Sequence, residues 1–179
     1  MDRIPFGVAQ LDSVLGGGAP EGSVVLVAGE SGAGAREFAY TSAAMNALAR
    51  VDDERFDLYY GDLDDAAALP PEAHYLSFTT DADYIERELR YTMADEIVDP
   101  AVEEIEFADL SPEYFQLSAI PREWYMGATS TIHDLGRAGN RDGVLSAFGE
   151  YLTDNAAGNL VVIDAVTDLV GASGGDVEW

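Results

Sequence analysis

The sequence predicts an α/β fold with a mostly parallel sheet that helices cover on both faces. Short apolar runs indicate buried strands at residues 24–28, 74–78, 105–110 and 160–164. Segments whose apolar residues recur at helical spacing lie between these runs. Strands that are apolar almost throughout are typical of parallel sheets with both faces buried, and their alternation with helices favours the α/β class.

The first elements follow from periodicity and from residues that break it. Apolar residues at helical spacing predict a helix over residues 8–15, and three consecutive glycines end it. The strand at 24–28 comes next, followed by a glycine-rich loop. A second helix is expected over about residues 35–50, because its apolar side chains again recur on one face.

The later elements continue the same alternation. Thr80-Asp81 is expected to cap a helix over about residues 82–94. Apolar residues between 144 and 152 predict an amphipathic helix before the last strand. The run Phe56 to Tyr60 is interpreted as a short additional strand, because aromatic residues are enriched in strands.

The length of the chain bounds its organisation. With 179 residues it can form one domain with a core, so a single domain over residues 1–179 is expected. No apolar run approaches the ~20 residues that span a bilayer, and the N-terminus lacks the blocks of a signal peptide. These features predict a cytoplasmic protein that does not engage membranes.

The charge balance is strongly acidic. The chain has 34 acidic and 9 basic residues, a net charge of -25, and every basic residue is arginine. Acidic residues spread over a foldable chain indicate a surface adapted to high salt, where the Debye length falls to ~3 Å at 1 M. We therefore expect a halophilic, archaeal source; the alternative is an ordinary acidic domain.

Composition also excludes several functions. Nine scattered arginines form no basic stripe, so nucleic-acid binding by this chain alone is not expected. The chain contains no cysteine, which excludes disulfides, thiol nucleophiles and thiolate metal sites.

The glycine-rich loop is the main candidate site. It has the sequence GESGAGAREF and lies between a predicted strand and a predicted helix, where a phosphate-binding P-loop belongs. The P-loop pattern G-x-x-x-x-G-K-[ST] places Lys and then Ser or Thr after its last glycine. The candidate nucleotide-binding residues, a vestigial P-loop, are Gly29, Glu30, Ser31, Gly32, Ala33, Gly34, Ala35 and Arg36.

Three stretches carry a family resemblance. IPFGVAQLDSVLGGGAPEGSVVLVAGESGAG resembles the opening of the RecA-like ATPases of the KaiC and archaeal RadA group, and HYLSFTTDADYIEREL resembles their second core strand and following helix. LVVIDAVTDLV resembles their Walker B strand, with Asp164 at its end. The resemblance extends to haloarchaeal KaiC-like proteins, whose composition the chain shares. The resemblance implies a RecA-like P-loop NTPase core, with ATP and magnesium as the group's ligands and Asp164 as a possible metal ligand.

The departures from that pattern concern the chemistry. Ala35 and Arg36 stand where the group has Lys and Ser or Thr, and Thr79 and Thr80 stand where it has a catalytic Glu pair. A lost charge-assisted bond from lysine corresponds to about thirtyfold in affinity. Arg36 leaves the helix about 100° round from Ala35 and could point at the metal position, where it would repel the metal. Asp164 could equally only cap a loop.

These features keep two functions open. The first is a non-catalytic KaiC-like regulatory or assembly module that acts through a protein partner or as a homo-oligomer. The second is an ATP-binding or ATP-hydrolysing switch that takes its missing groups from a neighbouring subunit. No catalytic residue is assigned, and ATP turnover is not expected. Weak nucleotide binding without turnover remains an intermediate alternative.

The C-terminal part of the resemblance is incomplete. In the family further strands follow Walker B, whereas 15 residues follow Asp164 in this sequence. The domain is expected to be a shortened variant or part of a longer chain. A sheet without those strands has an open edge, which favours self-association.

Other polar residues carry weaker signals. A cluster of three aspartates suggests a cation site, although in so acidic a chain a solvated surface is the better interpretation. The two histidines are far apart and have no partner at ligand or triad spacing, so neither is assigned a role. An aromatic pair could anchor an interface or cover the core. These residues are Asp62, Asp64 and Asp65; His74 and His133; and Trp124 and Tyr125.

Overall fold

Helices and a small parallel sheet form the fold, which confirms the predicted α/β class. The computed structural model describes residues 2–115 and 142–172. The predictions for His133, Trp124 and Tyr125 lie outside these residues. In chain order the elements are β1 (Arg3–Ile4), α1 (Ala9–Val14), β2 (Ala19–Pro20), α2 (Ala35–Val51), α3 (Asp53–Tyr59), β3 (Ala73–Ser77), α4 (Ala82–Thr92), α5 (Asp95–Val102), β4 (Ile105–Asp109), α6 (Ser111–Phe115), α7 (Asp142–Asn155), β5 (Leu160–Asp164) and α8 (Val166–Ala172).

The main sheet contains three parallel strands in the order β4-β3-β5. Ala73 pairs with Ile105 on one side and with Leu160 on the other, and Ser77 pairs with Asp109 and Asp164. Every residue of the central strand β3 is buried. Three of the four predicted strands are thus confirmed, with bounds that differ by one residue at most.

The predicted strand at residues 24–28 is wrong. The segment has no regular secondary structure, and Val24 and Leu26 are 97% and 75% exposed. Within the described residues its backbone makes no hydrogen bond to a strand. An apolar run stabilises a parallel strand only when both faces are covered, and cover is absent here among the described elements.

Helix α2 is the largest structural element against the sheet. Its buried positions include Tyr40 and all residues from Ser42 to Ala49. Four of these buried residues are alanines, so the helix can lie close to its neighbours α3, α5 and the strands. At its last turn, Arg50 lies 3.8 Å from Glu104, just before β4.

The segment Phe56 to Tyr60 is helical, so its prediction as a strand is wrong. Asp52 accepts a hydrogen bond from the backbone N–H of Arg55 at 3.0 Å and caps the first turn of α3. Phe56 and Tyr60 are then four residues apart on one helical face, and their rings stack with centroids 4.6 Å apart. The local cap and this pair outweigh the strand preference of aromatic residues.

The predicted cap of α4 is confirmed. Asp81 accepts a hydrogen bond from the N–H of Tyr84 at 2.8 Å. Ile85 and Leu89 of this helix are buried in the core, as the helical spacing predicted. Helices α1, α2 and α7 also confirm the predicted helices.

The N-terminal segment is organised around the buried side chain of Asp12. Its carboxylate accepts hydrogen bonds from the N–H groups of Phe6 at 2.7 Å and Val8 at 3.1 Å. The hydroxyl of Tyr60 donates a third, at 3.0 Å. Because two donors lie in the N-terminal segment and the third follows α3, this carboxylate fixes the N-terminal turns against α3.

Among the described residues, no helix is both long and apolar enough to cross a bilayer.

Candidate functional site

The candidate site lies at the carboxyl ends of the parallel strands, where ligands bind in open α/β sheets. Asp164 ends β5, and Thr79 and Thr80 follow β3. The glycine-rich loop leads into the first turn of α2, which carries Arg36. The structure brings the first turn of α2 to Asp164, although 128 positions separate Arg36 from that residue.

The loop has a backbone shape that glycine makes accessible. Gly32 and Gly34 have φ angles of 81° and 89°, a region that other residues rarely adopt. The N–H of Ala33 donates to the carbonyl of Glu30 at 2.9 Å, and Gly34 is the N-cap residue of α2. The first amides of a long helix therefore lie next to an exposed turn, the arrangement that favours anions in P-loops.

Arg36 forms an ion pair with Asp164. Its Nε atom lies 3.0 Å from Oδ2 and 3.3 Å from Oδ1 of the carboxylate. The Asp164 side chain is 9% exposed, whereas that of Arg36 is 47% exposed. The carboxylate that the family pattern assigns to a metal thus already has a cationic partner from its own chain.

Two tyrosines complete the surroundings of this pair. The hydroxyl of Tyr75 in β3 donates to Oδ2 of Asp164 at 3.0 Å. Tyr40 lies one helical turn beyond Arg36, and its ring centroid is 5.6 Å from that of Tyr75. Both rings are buried. The carboxylate therefore has a neutral donor from the sheet and a charged donor from α2.

The pKa values follow from this arrangement. Burial raises the pKa of Tyr40 to about 12, and the charge of Asp164 adds to this effect while Arg36 opposes it. Burial, followed by the charge of Asp164, raises the pKa of Tyr75 well above its ordinary value. Burial acts most strongly on Arg36 and lowers its pKa, but the charge and hydrogen bond of Asp164, together with Tyr40 and Tyr75, outweigh it, so the net pKa is raised. All three groups thus hold their protons at neutral pH.

Acidic groups line the loop. Glu30 is exposed within it, and the Oε2 atom of Glu37 lies 4.0 Å from the place that a Cβ on Gly34 would occupy. Both carboxylates lie at or near the turn where a phosphate would bind. At short range like charges repel, so these groups reduce the attraction that the helix terminus offers to anions.

A hydroxyl cluster occupies the positions at which the family that the sequence resembles has catalytic acids. Ser77 Oγ lies 2.8 Å from Thr80 Oγ1 and accepts hydrogen bonds from the N–H groups of Thr79 and Thr80. Asp81, the nearest carboxylate in sequence, caps α4 instead. No carboxylate from this segment is therefore available to orient a water molecule for hydrolysis.

Asp168 is a residue that sequence reasoning did not assign to the site. It lies in the first turn of α8, four residues after Asp164. Burial raises its pKa, and the Asp164 charge adds to the effect, whereas a backbone hydrogen bond at Ala165 and the charge of Arg36 oppose it. In the sequence, the only indication that Asp168 lies near Asp164 was that four positions separate them.

The described residues contain no group of three or more metal-ligating side chains in binding geometry. The aspartate cluster at residues 62–65 forms a turn, in which Asp64 Oδ1 accepts a hydrogen bond from the N–H of Ala66 at 2.9 Å. The interpretation of this cluster as surface is consistent with that geometry. Asp164 and Asp168 are the acidic side chains at the end of β5.

His74, which sequence reasoning left unassigned, joins a second polar cluster. Its Nδ1 atom lies 2.7 Å from the hydroxyl of Tyr151 in α7, and Nε2 lies 3.1 Å from Oε2 of Glu72. Asn159 donates to the same Glu72 oxygen at 2.9 Å. The cluster connects β3 with α7 and the start of β5, so we assign it a structural role.

Comparisons with known protein families, with curated protein sequences and with solved structures found no match. The RecA-like and KaiC-like resemblance therefore remains a prediction that rests on the quoted motifs. The coarser statement, a three-stranded parallel sheet with helices, is shown by the fold itself.

Proposed function

We propose that the chain is a non-catalytic, KaiC-like regulatory or assembly module that acts through a protein partner. The observation that carries this proposal is the ion pair between Arg36 and Asp164. In a working P-loop ATPase the Walker B aspartate helps to hold magnesium, and the Ser or Thr of the loop ligates it. In this chain a guanidinium takes the place of the metal as the counter-ion of that aspartate.

The charge balance around the loop supports the same conclusion. Ala35 supplies no cation for the terminal phosphates, and the chain has no lysine that could substitute. Glu30 and Glu37 add negative charge at or near the turn. Mg-ATP binding would require the Arg36 pair to open and these carboxylates to be screened, with no lysine to offset the free-energy cost.

Loss of hydrolysis follows from the hydroxyl cluster. Phosphoryl transfer depends on positioning and on stabilisation of charge by lysine, metal and a water-orienting residue. Thr79 and Thr80 provide no carboxylate, and both of their amide groups and the Thr80 hydroxyl are already bonded to Ser77. We therefore expect neither turnover nor a nucleotide-driven switch, and we assign the function to protein contacts.

Calorimetry with Mg-ATP in multimolar KCl tests the proposal. We expect no heat of binding up to millimolar ATP for the natural sequence. The matched variant carries Ala35→Lys and Arg36→Ser, which rebuild the P-loop pattern and release Asp164. Binding by this variant alone would support a lost ATP site; micromolar binding by the natural chain would overturn the proposal.

A further inference from the structure

The segment Val24–Ala28 is an apolar stretch that pairs with no strand of the described structure. The exposed fractions of Val24, Val25, Leu26 and Val27 are 97%, 50%, 75% and 46%, so all four residues are exposed and every second one is exposed more strongly. This alternation is typical of extended backbone. Within the described residues, the N–H and C=O groups of residues 24–28 make no backbone hydrogen bond. Unpaired backbone and exposed apolar side chains together form a template for strand addition.

We propose that this segment is a self-association interface, at which a second copy of the chain adds as an antiparallel strand. The inference rests on the proposed function as a module that acts through protein contacts. It specifies both the surface and the partner.

The first argument for a second copy is that the segment is self-complementary. Its sequence VVLVA is nearly symmetric about Leu26. In an antiparallel pair centred there, Val25 lies opposite the partner's Val27, and Val24 opposite the partner's Ala28. β-Branched side chains stabilise each other in such cross-strand pairs, and an isologous interface buries both exposed segments at once.

The second argument is the distribution of charge. The whole chain carries a net charge of -25, yet no charged residue lies between Glu21 and Glu30. In the centred register the five paired residues of each copy are uncharged, and Glu21 and Glu30 lie outside the pair. Two copies can therefore approach at this uncharged stretch without placing carboxylates directly opposite each other.

The size and charge of the interface predict a weak, salt-dependent dimer. Stable dimers bury ~1,200–2,000 Å² of surface, which is more than a five-residue strand pair supplies. The remaining repulsion between two acidic copies is screened when the Debye length falls to ~3 Å at 1 M salt. We expect micromolar or weaker dimerisation that strengthens as KCl is raised.

Sedimentation velocity of the whole chain, as a function of protein and KCl concentration, tests the interface. Leu26→Asp places two carboxylates opposite each other at the symmetry axis and is expected to raise the dimer Kd by about tenfold or more. Leu58→Asp is the matched control, because Leu58 in α3 is 76% exposed and Leu26 is 75% exposed. A chain that stays monomeric in multimolar KCl, or an equal effect of both variants, would overturn the proposal.

Disulfide trapping measures the register directly. The chain contains no cysteine, so Leu26→Cys introduces the sole thiol. Oxidation is expected to link two copies through residue 26, whereas Leu58→Cys is expected to remain monomeric under the same conditions. Absence of a preference for position 26 would contradict the centred pairing and with it the proposed interface.

The outcomes separate this inference from the proposed function. A dimer that also binds Mg-ATP would overturn the non-catalytic assignment and keep the interface. A monomer that does not bind Mg-ATP would overturn the interface and keep the non-catalytic assignment, with a different protein as the partner.

Discussion

The guanidinium of Arg36 contacts the carboxylate of Asp164 across the gap between the first turn of α2 and the end of β5. The carboxylate is almost fully buried. Two donors, Arg36 and Tyr75, therefore replace water in stabilising its negative charge. This contact is the basis of the first prediction.

Replacing Arg36 by Ala is expected to lower the free energy of unfolding by about 1–2 kcal/mol, because a buried carboxylate loses its charged partner while Arg36 itself is half exposed. Arg55→Ala is the matched control: Arg55 is 46% exposed and pairs with the more accessible Asp52. That change is expected to alter stability by at most about 0.5 kcal/mol. Denaturant unfolding in constant KCl measures both, and equal effects would show that the Arg36 pair is no stronger than a surface pair.

The hydrogen bonds of Asp12 give a second prediction. Asp12→Ala is expected to destabilise the fold by about 3 kcal/mol, since three donors lose their acceptor. Tyr60→Phe removes one of the three bonds and is expected to reduce stability by about 1 kcal/mol. Chemical unfolding of the two variants provides the measurement. If Asp12→Ala is no more destabilising than Tyr60→Phe, the backbone bonds of Phe6 and Val8 contribute little.

Because Tyr40 is buried, we expect the free energy of unfolding to fall at alkaline pH. Burial raises its pKa from 10.0 to about 12, so the folded state favours the protonated phenol. The resulting stabilisation is fully present below pH 10 and is lost as the pH rises towards about 12. Unfolding experiments across this range are expected to show a smaller loss in Tyr40→Phe.

Tyr91→Phe is the control for that experiment, because Tyr91 is 85% exposed. It should leave the alkaline dependence unchanged. A parallel titration of tyrosinate absorbance is expected to show a component near pH 12 that Tyr40→Phe removes. An identical pH dependence of Tyr40→Phe and the natural chain would contradict the assignment.

Gly16 and Gly18 belong to one loop but differ in how closely other atoms approach them. A Cβ on Gly18 would overlap the carbonyl oxygen of Ile4 and lie 2.6 Å from the Ile4 carbonyl carbon, whereas a Cβ on Gly16 meets nothing within 4 Å. Both residues have positive φ angles, 115° and 67°. Gly16→Ala is expected to reduce stability by about 1 kcal/mol through backbone strain alone.

Gly18→Ala is expected to be more destabilising, because β1 and the turn before β2 must also separate. Thermal unfolding of the two variants compares them within one loop. A Tm for Gly18→Ala at or above that of Gly16→Ala would show that the backbone around Ile4 relaxes without penalty.

The extent to which the fold follows from sequence differs between elements. The runs predicted at 74–78, 105–110 and 160–164 form strands, within one residue of those bounds, because each has a neighbour in the sheet. The run at 24–28 has the same apolar character but no partner among the described strands, and partners are not visible in a local pattern. Phe56 to Tyr60 was misassigned because the cap at Asp52 was not weighed against aromatic content.

The residues of the candidate site could likewise be predicted only in part. Sequence analysis identified Arg36 and Asp164 and predicted that the arginine could point at the metal position; the structure places the two side chains in contact. Sequence analysis did not identify Tyr75 as a donor or Asp168 as a neighbour of Asp164. Those contacts depend on strand order and on the direction of α8 after β5, which are long-range properties.

Helix α2 carries a mechanical consequence. Its first turn forms an ion pair with the end of β5 through Arg36, and its last turn forms one with Glu104 before β4. The middle of the helix is buried. A helix that contacts the sheet side at both ends and along its length is not free to rotate relative to the sheet. A force applied to the exposed glycine loop is therefore expected to act on the helix and the sheet together, as one stiff unit.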